Sequence, residues 1–242
     1  MQSPERFWLN NPCGVERLRK ELGREKARRS IAEFCLFTDG RYQMNWHHRL
    51  LCEYLDAFTR KEMRRLMVFM PPRHGKSELV SRKLPAYIFG RSPEANIIAT
   101  SYSADLAQRM NRDVQRIMDS PAYLELFPDT RLYGKSIHAA AGHALRNSAI
   151  FEIAGHRGSY RGAGVGGGIT GMGGDYIIID DPIKNRAEAE SQTYREMLWS
   201  EYQSTVSTRL HAGGAVIIIL TRWHEDDLAA RLLNPEYGKV ED

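Results

Sequence analysis

The chain has 242 residues, 42% of them apolar and 26% charged, the balance of an ordinary soluble globular protein large enough for one large or two small cores. No apolar run approaches the ~20 residues that cross a bilayer, and the start Met1-Gln2-Ser3-Pro4-Glu5-Arg6 lacks the apolar stretch of a secretory signal, so no membrane partner is expected. Three scattered cysteines (Cys13, Cys35, Cys52) read as free thiols in a reducing cytosol, and a net charge of +4 permits contact with nucleic acid without arguing for it.

In chain order, residues 16–34 place Leu18, Leu22, Ile31 and Phe34 at roughly helical spacing among Arg17, Arg19, Lys20, Arg24, Lys26, Arg28 and Arg29. This predicts an amphipathic helix that either faces solvent or meets DNA or a partner. A second helix is expected over 46–60, with Leu50, Leu51, Tyr54, Leu55 and Phe58 turned inward. Strand and helix then alternate. Leu66-Met67-Val68-Phe69-Met70 is a short apolar strand ended by Pro71-Pro72. A helix should open near Gly75, with Pro85 kinking or shortening it. Residues 96–100 read as a strand and 104–118 as a helix closed by Ser120-Pro121; strands follow at 149–154 and 176–180. A long helix over 187–206 leads to the last strand, 215–220. Apolar runs without alternation, separated by helices, predict an α/β fold with a mainly parallel central sheet covered on both faces. Between Gly162 and Gly174, eight of thirteen residues are glycine. Such a stretch suits either a flexible connector or a loop that must move or let another backbone come close.

Gly75-Lys76-Ser77 lies between an apolar strand and a helix, the context of a phosphate-binding loop (Walker A). There the backbone N–H groups and the helix dipole favour an anion, Lys76 reaches the β- and γ-phosphates, and the Ser77 hydroxyl binds Mg²⁺. The triplet alone occurs by chance in on the order of one in eight chains of this length, and the first glycine of the full pattern falls on Met70. Support comes from Tyr176-Ile177-Ile178-Ile179-Asp180-Asp181, an apolar strand ending in two acids, as a Walker B strand does. In that reading Asp180 holds the Mg²⁺ shell and Asp181 polarises the attacking water; standing alone, two acids before Pro182 are also ordinary turn residues. A third buried strand ends at Thr221, a polar residue placed to sense the γ-phosphate. The acids in Trp223-His224-Glu225-Asp226-Asp227 lack the second histidine of a zinc-protease helix and read as first-turn structural residues.

In this order, Trp46-His47-His48-Arg49-Leu50, Pro71-Pro72-Arg73-His74-Gly75-Lys76-Ser77-Glu78, Ser101-Tyr102-Ser103, Ile178-Ile179-Asp180-Asp181-Pro182 and Thr221-Arg222-Trp223-His224-Glu225-Asp226-Asp227-Leu228 resemble the large terminase subunits of tailed double-stranded DNA phages, over about residues 42–233. The resemblance implies a P-loop NTPase of the additional-strand, catalytic-acid type. It implies a helical segment at 1–60 packed on an ATPase core at 61–242, with a C-terminal nuclease domain expected only in the full-length protein. It also implies Mg²⁺-dependent ATP hydrolysis that drives double-stranded DNA into a procapsid, in the host cytoplasm, by a homo-oligomeric ring on a capsid portal working with a small terminase subunit. Pro72, Arg73, His74, Gly75, Lys76, Ser77 and Glu78 then hold the nucleotide. Gln43, with Tyr42 and Trp46 near it, is a candidate adenine reader, although Trp46 could equally be a core aromatic. Such families tolerate Met70 and Arg73 in the loop. They often carry Glu where this chain has Asp181, a side chain shorter by ~1.5 Å, so a water or a backbone shift must close the gap. An arginine finger from a neighbouring subunit is expected at Arg161, with Arg157 the other candidate. The competing functions are a helicase-like P-loop motor and a non-catalytic nucleotide-binding assembly module.

Overall fold

A computed structural model of the chain describes residues 12–132, 145–167, 173–234 and 236. The first six residues, part of the helical segment expected at 1–60 and the glycines at 168 and 171 lie outside them. Among the described residues, no helix is long and apolar enough to cross a membrane.

The basic helix expected over 16–34 is two helices, α1 (Pro12–Arg29) and α2 (Ile31–Thr38), separated at Ser30, whose backbone is extended. The break is stabilised from a distance: Asp56 Oδ1 accepts the Ile31 N–H at 2.9 Å, satisfying one of the orphan donors at a helix start. Asp56 belongs to α3 (Trp46–Thr59), which opens with a capping box between Asn45 and His48. The inward face of α3 carries Leu51, Cys52, Leu55 and Phe58, whereas Leu50 and Tyr54, expected inward, are exposed. They sit on the neighbouring stripe of the same helix. Ala27, Ile31, Phe34, Leu51, Leu55 and Phe58 join the strands in one apolar core, so residues 27–58 fold as part of the sheet's own packing.

The sheet has six strands: β1 (Arg65–Phe69), β2 (Asn96–Ser101), β3 (Ile150–Glu152), β4 (Ser159–Gly164), β5 (Gly174–Asp180) and β6 (Leu210–Leu220), in the order β1-β6-β5-β2-β4-β3. All neighbours are parallel except the β3–β4 edge pair. β6, last in sequence, is inserted between the strand before the phosphate loop and the strand ending in Asp180, which is the additional-strand arrangement. Alternate residues divide the sheet's packing. Ile97, Tyr176, Ile178, Ile217 and Ile219 face α1–α3, α4 (Leu84–Arg91), α5 (Ala104–Met118) and α6 (Pro121–Leu126). Ile98, Ile177, Ile179, Val216 and Ile218 face α7 (Arg186–Glu190), α8 (Gln192–Glu201) and α10 (Leu228–Leu233); a short α9 (Ser207–Arg209) leads into β6.

Several boundaries move for local reasons. The helix after the loop begins as a π-helical stretch, Glu78–Lys83, in which Leu84 N–H bonds Leu79 O, five residues back. That wider turn accommodates Pro85, which can give no N–H to the carbonyl four residues earlier. Ser120-Pro121 closes α5 and also opens α6, with Ser120 capping Tyr123 N–H at 3.2 Å. The long helix expected over 187–206 is interrupted at Ser191, which caps α8, and continues as a π-helical segment, Tyr202–Val206. Strand β4 is not among the strands expected from sequence; Ser-Tyr-Arg-Gly-Ala-Gly has poor strand composition. It is a strand because α5 lies directly on it. A Cβ at Gly162 would stand 3.0 Å from Ala107 O, and one at Gly164 2.8 Å from Ala104 N. At these two positions close backbone approach, rather than flexibility, explains the glycine.

Candidate active site

β1, β6, β5 and β2 end at one rim of the sheet, and the site is assembled there. After Phe69, Met70 N–H still bonds Leu220 O at 3.4 Å; the chain then turns through Pro71 and Pro72. Arg73 (φ 64°) and Gly75 (φ 85°) are both left-handed, which at the non-glycine Arg73 costs about 1–2 kcal/mol. The His74 ring bonds Pro72 O at 2.8 Å. No backbone carbonyl among the described residues takes the N–H groups of Gly75, Lys76 and Ser77, so the loop presents donors at a helix N-terminus.

Lys76 is 5% exposed. Its ammonium donates to Thr221 Oγ1 at 2.7 Å and Met70 O at 3.5 Å, and pairs with Asp181 Oδ1 at 2.9 Å. Asp181 Oδ1 also accepts Thr221 N–H at 3.1 Å. The Asp181 backbone is left-handed, φ 43°, a region aspartate tolerates better than most residues. Asp180 is 1% exposed. Its Oδ1 accepts Ser77 Oγ–H at 3.0 Å and its Oδ2 accepts Ser81 Oγ–H at 2.6 Å. Burial pushes the Asp180 carboxyl up to about 6, against the lowering pull of the two serine hydroxyls and Lys76. Ser101, in register with Asp180 on β2, is fully buried, and its Oγ has no hydrogen-bond partner among the described residues.

A buried carboxylate with no salt-bridge partner among the described residues, a hydroxyl on each of its oxygens and the Ser101 hydroxyl on the neighbouring strand form a hard oxygen donor set. Mg²⁺ takes only one or two protein ligands and fills its shell with water and phosphate, so the residues fit that ion. No group of three or more His, Cys, Asp or Glu side chains among the described residues could hold a metal unaided. A cavity of about 370 Å³ beside β1 and β6 is lined mainly by apolar side chains, among them Leu66, Met67, Val216, Ile218 and Leu232, with Arg65 at its edge.

A family profile described as "Terminase large subunit, T4likevirus-type, N-terminal" matches residues 67–241, well over half of the chain. The chain belongs to this terminase family. No curated protein sequence matches it. Among solved structures, the HK97 bacteriophage large terminase superposes with a TM-score of 0.51 at 11% identity, covering 79% of this chain and 36% of that one, a likeness of fold. The Thermus phage P74-26 large terminase ATPase domain gives 0.41 at 20% identity, and a point mutant of it 0.42 at 19%; each covers 65% of this chain and 59% of the other. The terminase chain thus spans about a third of the HK97 protein's length.

Within this terminase chain, the structure brings together Lys76, Ser77, Asp180, Asp181 and Thr221. Glu78 lies in the first turn after the loop, paired with Arg82 at 2.8 Å. Gln43 is exposed in the segment before α3. Neighbouring Tyr42 contacts the His48 ring. Trp46 is 73% exposed, which removes the core-aromatic reading. Arg161 lies within β4, opposite Ile98, three residues before the strand's end. β4 is two strand spacings, roughly 10 Å, from β5, whose end carries Asp180. Arg157 lies at the opposite rim, its N–H bonded to Glu94 Oε2 at 2.8 Å. The acids after Thr221 have structural partners: Asp227 caps α10 and pairs with Arg222, while Asp226 holds Arg195 and Arg231. Those arginines keep Asp226 down near 2.

Two residues at the site were missed by sequence reading. Ser81 holds the second oxygen of Asp180, and its only sequence signal is a four-residue spacing from Ser77, which puts both on one helix face. His48 rests on the phosphate loop itself, bonding His74 O at 3.0 Å. Its signal was the polar pair His47-His48 at the start of an otherwise amphipathic helix.

Proposed function

We propose that this terminase chain hydrolyses ATP and that the hydrolysis drives double-stranded DNA into a procapsid. The observation that carries the reading is the convergence of Lys76 from the loop, Asp181 from β5 and Thr221 from β6 on one ammonium, beside Ser77 on Asp180. Gly75, Lys76 and Ser77 N–H groups, with the Pro72–His74 turn around them, would hold the phosphates. Lys76 would release Asp181 as it engages the β- and γ-phosphates, exchanging one anion for another. Asp181 Oδ1 is committed to Lys76 and Thr221, whereas Oδ2 has no hydrogen bond among the described residues and its side chain is 31% exposed. That oxygen is therefore open to a water. It would take the water's proton as the water oxygen bonds the γ-phosphorus and the bond to the ADP oxygen breaks. The left-handed turn at Asp181 is a backbone shift of the kind that a side chain one methylene short of glutamate requires. Ser77 and Asp180 would hold Mg²⁺, which when bound offsets phosphate charge. Thr221, touching both Lys76 and the Asp181 carboxylate, would sense the loss of the γ-phosphate.

The proposal includes Arg161 as an arginine finger acting across a subunit boundary, in a ring on a portal. Double-stranded DNA, the small terminase subunit, a host-cytoplasmic setting and a nuclease domain in the full-length protein belong to the same proposal, as does Gln43 as an adenine reader. The test is turnover of ATP by purified protein. Lys76→Ala and Asp180→Ala should each abolish Mg²⁺-dependent hydrolysis, and unchanged turnover in both would refute the site. Arg161→Ala should keep nucleotide binding and lose hydrolysis, with wild-type activity rising more than linearly with concentration; normal turnover would remove Arg161.

A further inference from the structure

The chemistry of the phosphate loop leaves α3 without a role, yet α3 touches the loop at its most conformationally exposed point. The His48 ring spans two backbone groups. Its Nδ1 lies 3.1 Å from Asn45 N, a donor, so Nδ1 is the acceptor of that pair. In the neutral ring the proton is then on Nε2, which donates to His74 O at 3.0 Å. The tip of the ring also stands close against the loop: a Cβ built on Gly75 would be 2.6 Å from His48 Nε2. The His47 ring is tilted against these, its centroid 4.0 Å from that of His48 and 6.1 Å from that of His74.

The consequence follows from peptide geometry. In a planar trans peptide, the carbonyl of His74 and the N–H of Gly75 point in opposite directions. Fixing the oxygen on α3 therefore fixes the N–H on the side away from α3. This peptide needs fixing, because Gly75 is left-handed at φ 85° and glycine admits the flipped peptide at little cost. A flipped peptide would turn a carbonyl oxygen, rather than an N–H, toward a bound phosphate. We propose that His48 is a positioning residue for phosphate binding: it locks the His74–Gly75 peptide so that the Gly75 N–H faces the anion. The inference rests on the reading of the loop as an ATP site and adds to it a residue from the helix before β1.

The experiment measures calorimetric binding of a non-hydrolysable ATP analogue and of inorganic tripolyphosphate, both with Mg²⁺, to the wild-type protein, His48→Phe and His48→Gln. The phenyl ring keeps the bulk and loses the donor; the glutamine amide can still accept from Asn45 and donate to His74. His48→Phe should bind both ligands about tenfold more weakly, the scale of one hydrogen bond, and His48→Gln should recover most of the loss. His48→Leu carries the same test should the phenyl variant fail to fold. Wild-type affinity of the donor-less variant for tripolyphosphate would overturn the proposal; if the ATP analogue alone were affected, the ring would serve the base instead. Equal loss in the phenyl and glutamine variants would likewise overturn it, since the donor would then be irrelevant. A wild-type protein that binds neither ligand would refute the ATP reading itself.

Discussion

Asp180→Asn should make the protein more stable at neutral pH while abolishing its proposed activity. Burial raises this carboxyl from 3.8 to about 6, so the folded state holds the Asp180 proton more tightly than the unfolded chain does. Well below pH 3.8 the group is protonated in both states and imposes no penalty. As pH rises through 6 the folded protein must ionise a carboxylate that is 1% exposed, and above that the penalty is constant. A gap of roughly two pH units corresponds to about 3 kcal/mol. The amide avoids it. Its oxygen can accept from Ser77, and the Ser81 hydroxyl can rotate to accept from the amide N–H and donate within its own helix. For a chain of this size, ~3 kcal/mol is a rise in Tm of roughly 5–10 °C. The assay is thermal unfolding of both proteins from pH 4 to 8 without nucleotide. The advantage of Asp180→Asn should be small near pH 4, grow through pH 6 and level off above it. Asp226, held near 2 by Arg231 and Arg195, loses its own stabilisation as pH falls toward that value, equally in both proteins, so the difference isolates Asp180. An advantage independent of pH, or lower stability of the variant at pH 7.5, would refute the account of Asp180 as an ionised group kept at a cost in stability.

Ser81→Ala removes the donor 2.6 Å from Asp180 Oδ2 and should cost about 1–3 kcal/mol at pH 7.5, with a smaller loss near pH 4; equal losses at both pH values in thermal unfolding would argue against it. Thr221→Val deletes one of the three oxygen partners of Lys76 and should lower ATP turnover by about tenfold, whereas Thr221→Ser should retain it; steady-state kinetics of the pair decides. A Cβ at Gly158 would collide with the Pro93 carbonyl oxygen, whereas at Gly155 it would meet open space at φ 77°. Gly158→Ala should therefore destabilise by about 3 kcal/mol or more and Gly155→Ala by only about 1–2 kcal/mol, and chemical denaturation that ranked them in the other order would contradict the backbone contact.

The legible parts of this fold are those written in short stretches of chain. The strands ending at Phe69, Asp180 and Leu220 are largely apolar runs; Asp181 and Thr221 follow the last two directly, and Lys76 follows the first after the turn through Pro71-Pro72. The inward stripe of α3 was half right: 51, 55 and 58 are buried, but 50 and 54 lie one position round the helix, and only the docking of α3 on the sheet decides which stripe is covered. β4 was invisible because its sequence is a response to α5: Gly162 and Gly164 are spaced by two, the signature of one strand face, but without α5 in place there is nothing to make that spacing meaningful. The helix of 187–206 was drawn too long because Ser191, a good cap, does not announce itself inside a helical pattern until the chain turns there.

By itself, then, the sequence determined an α/β chain with a phosphate loop, an acid pair and a polar strand end in the right order, because strand period, turn residues and helix starts are local properties. The tertiary structure alone decided which of those residues meet. Ser77 and Asp180 are 103 residues apart, and Lys76 and Thr221 145 apart; their contacts exist because β6, the last strand made, is inserted between β1 and β5. The same holds for Ser81 on Asp180 and His48 on Gly75. A hydroxyl or an imidazole carries no mark of its partner in the chain, and only packing brings the two within hydrogen-bonding distance.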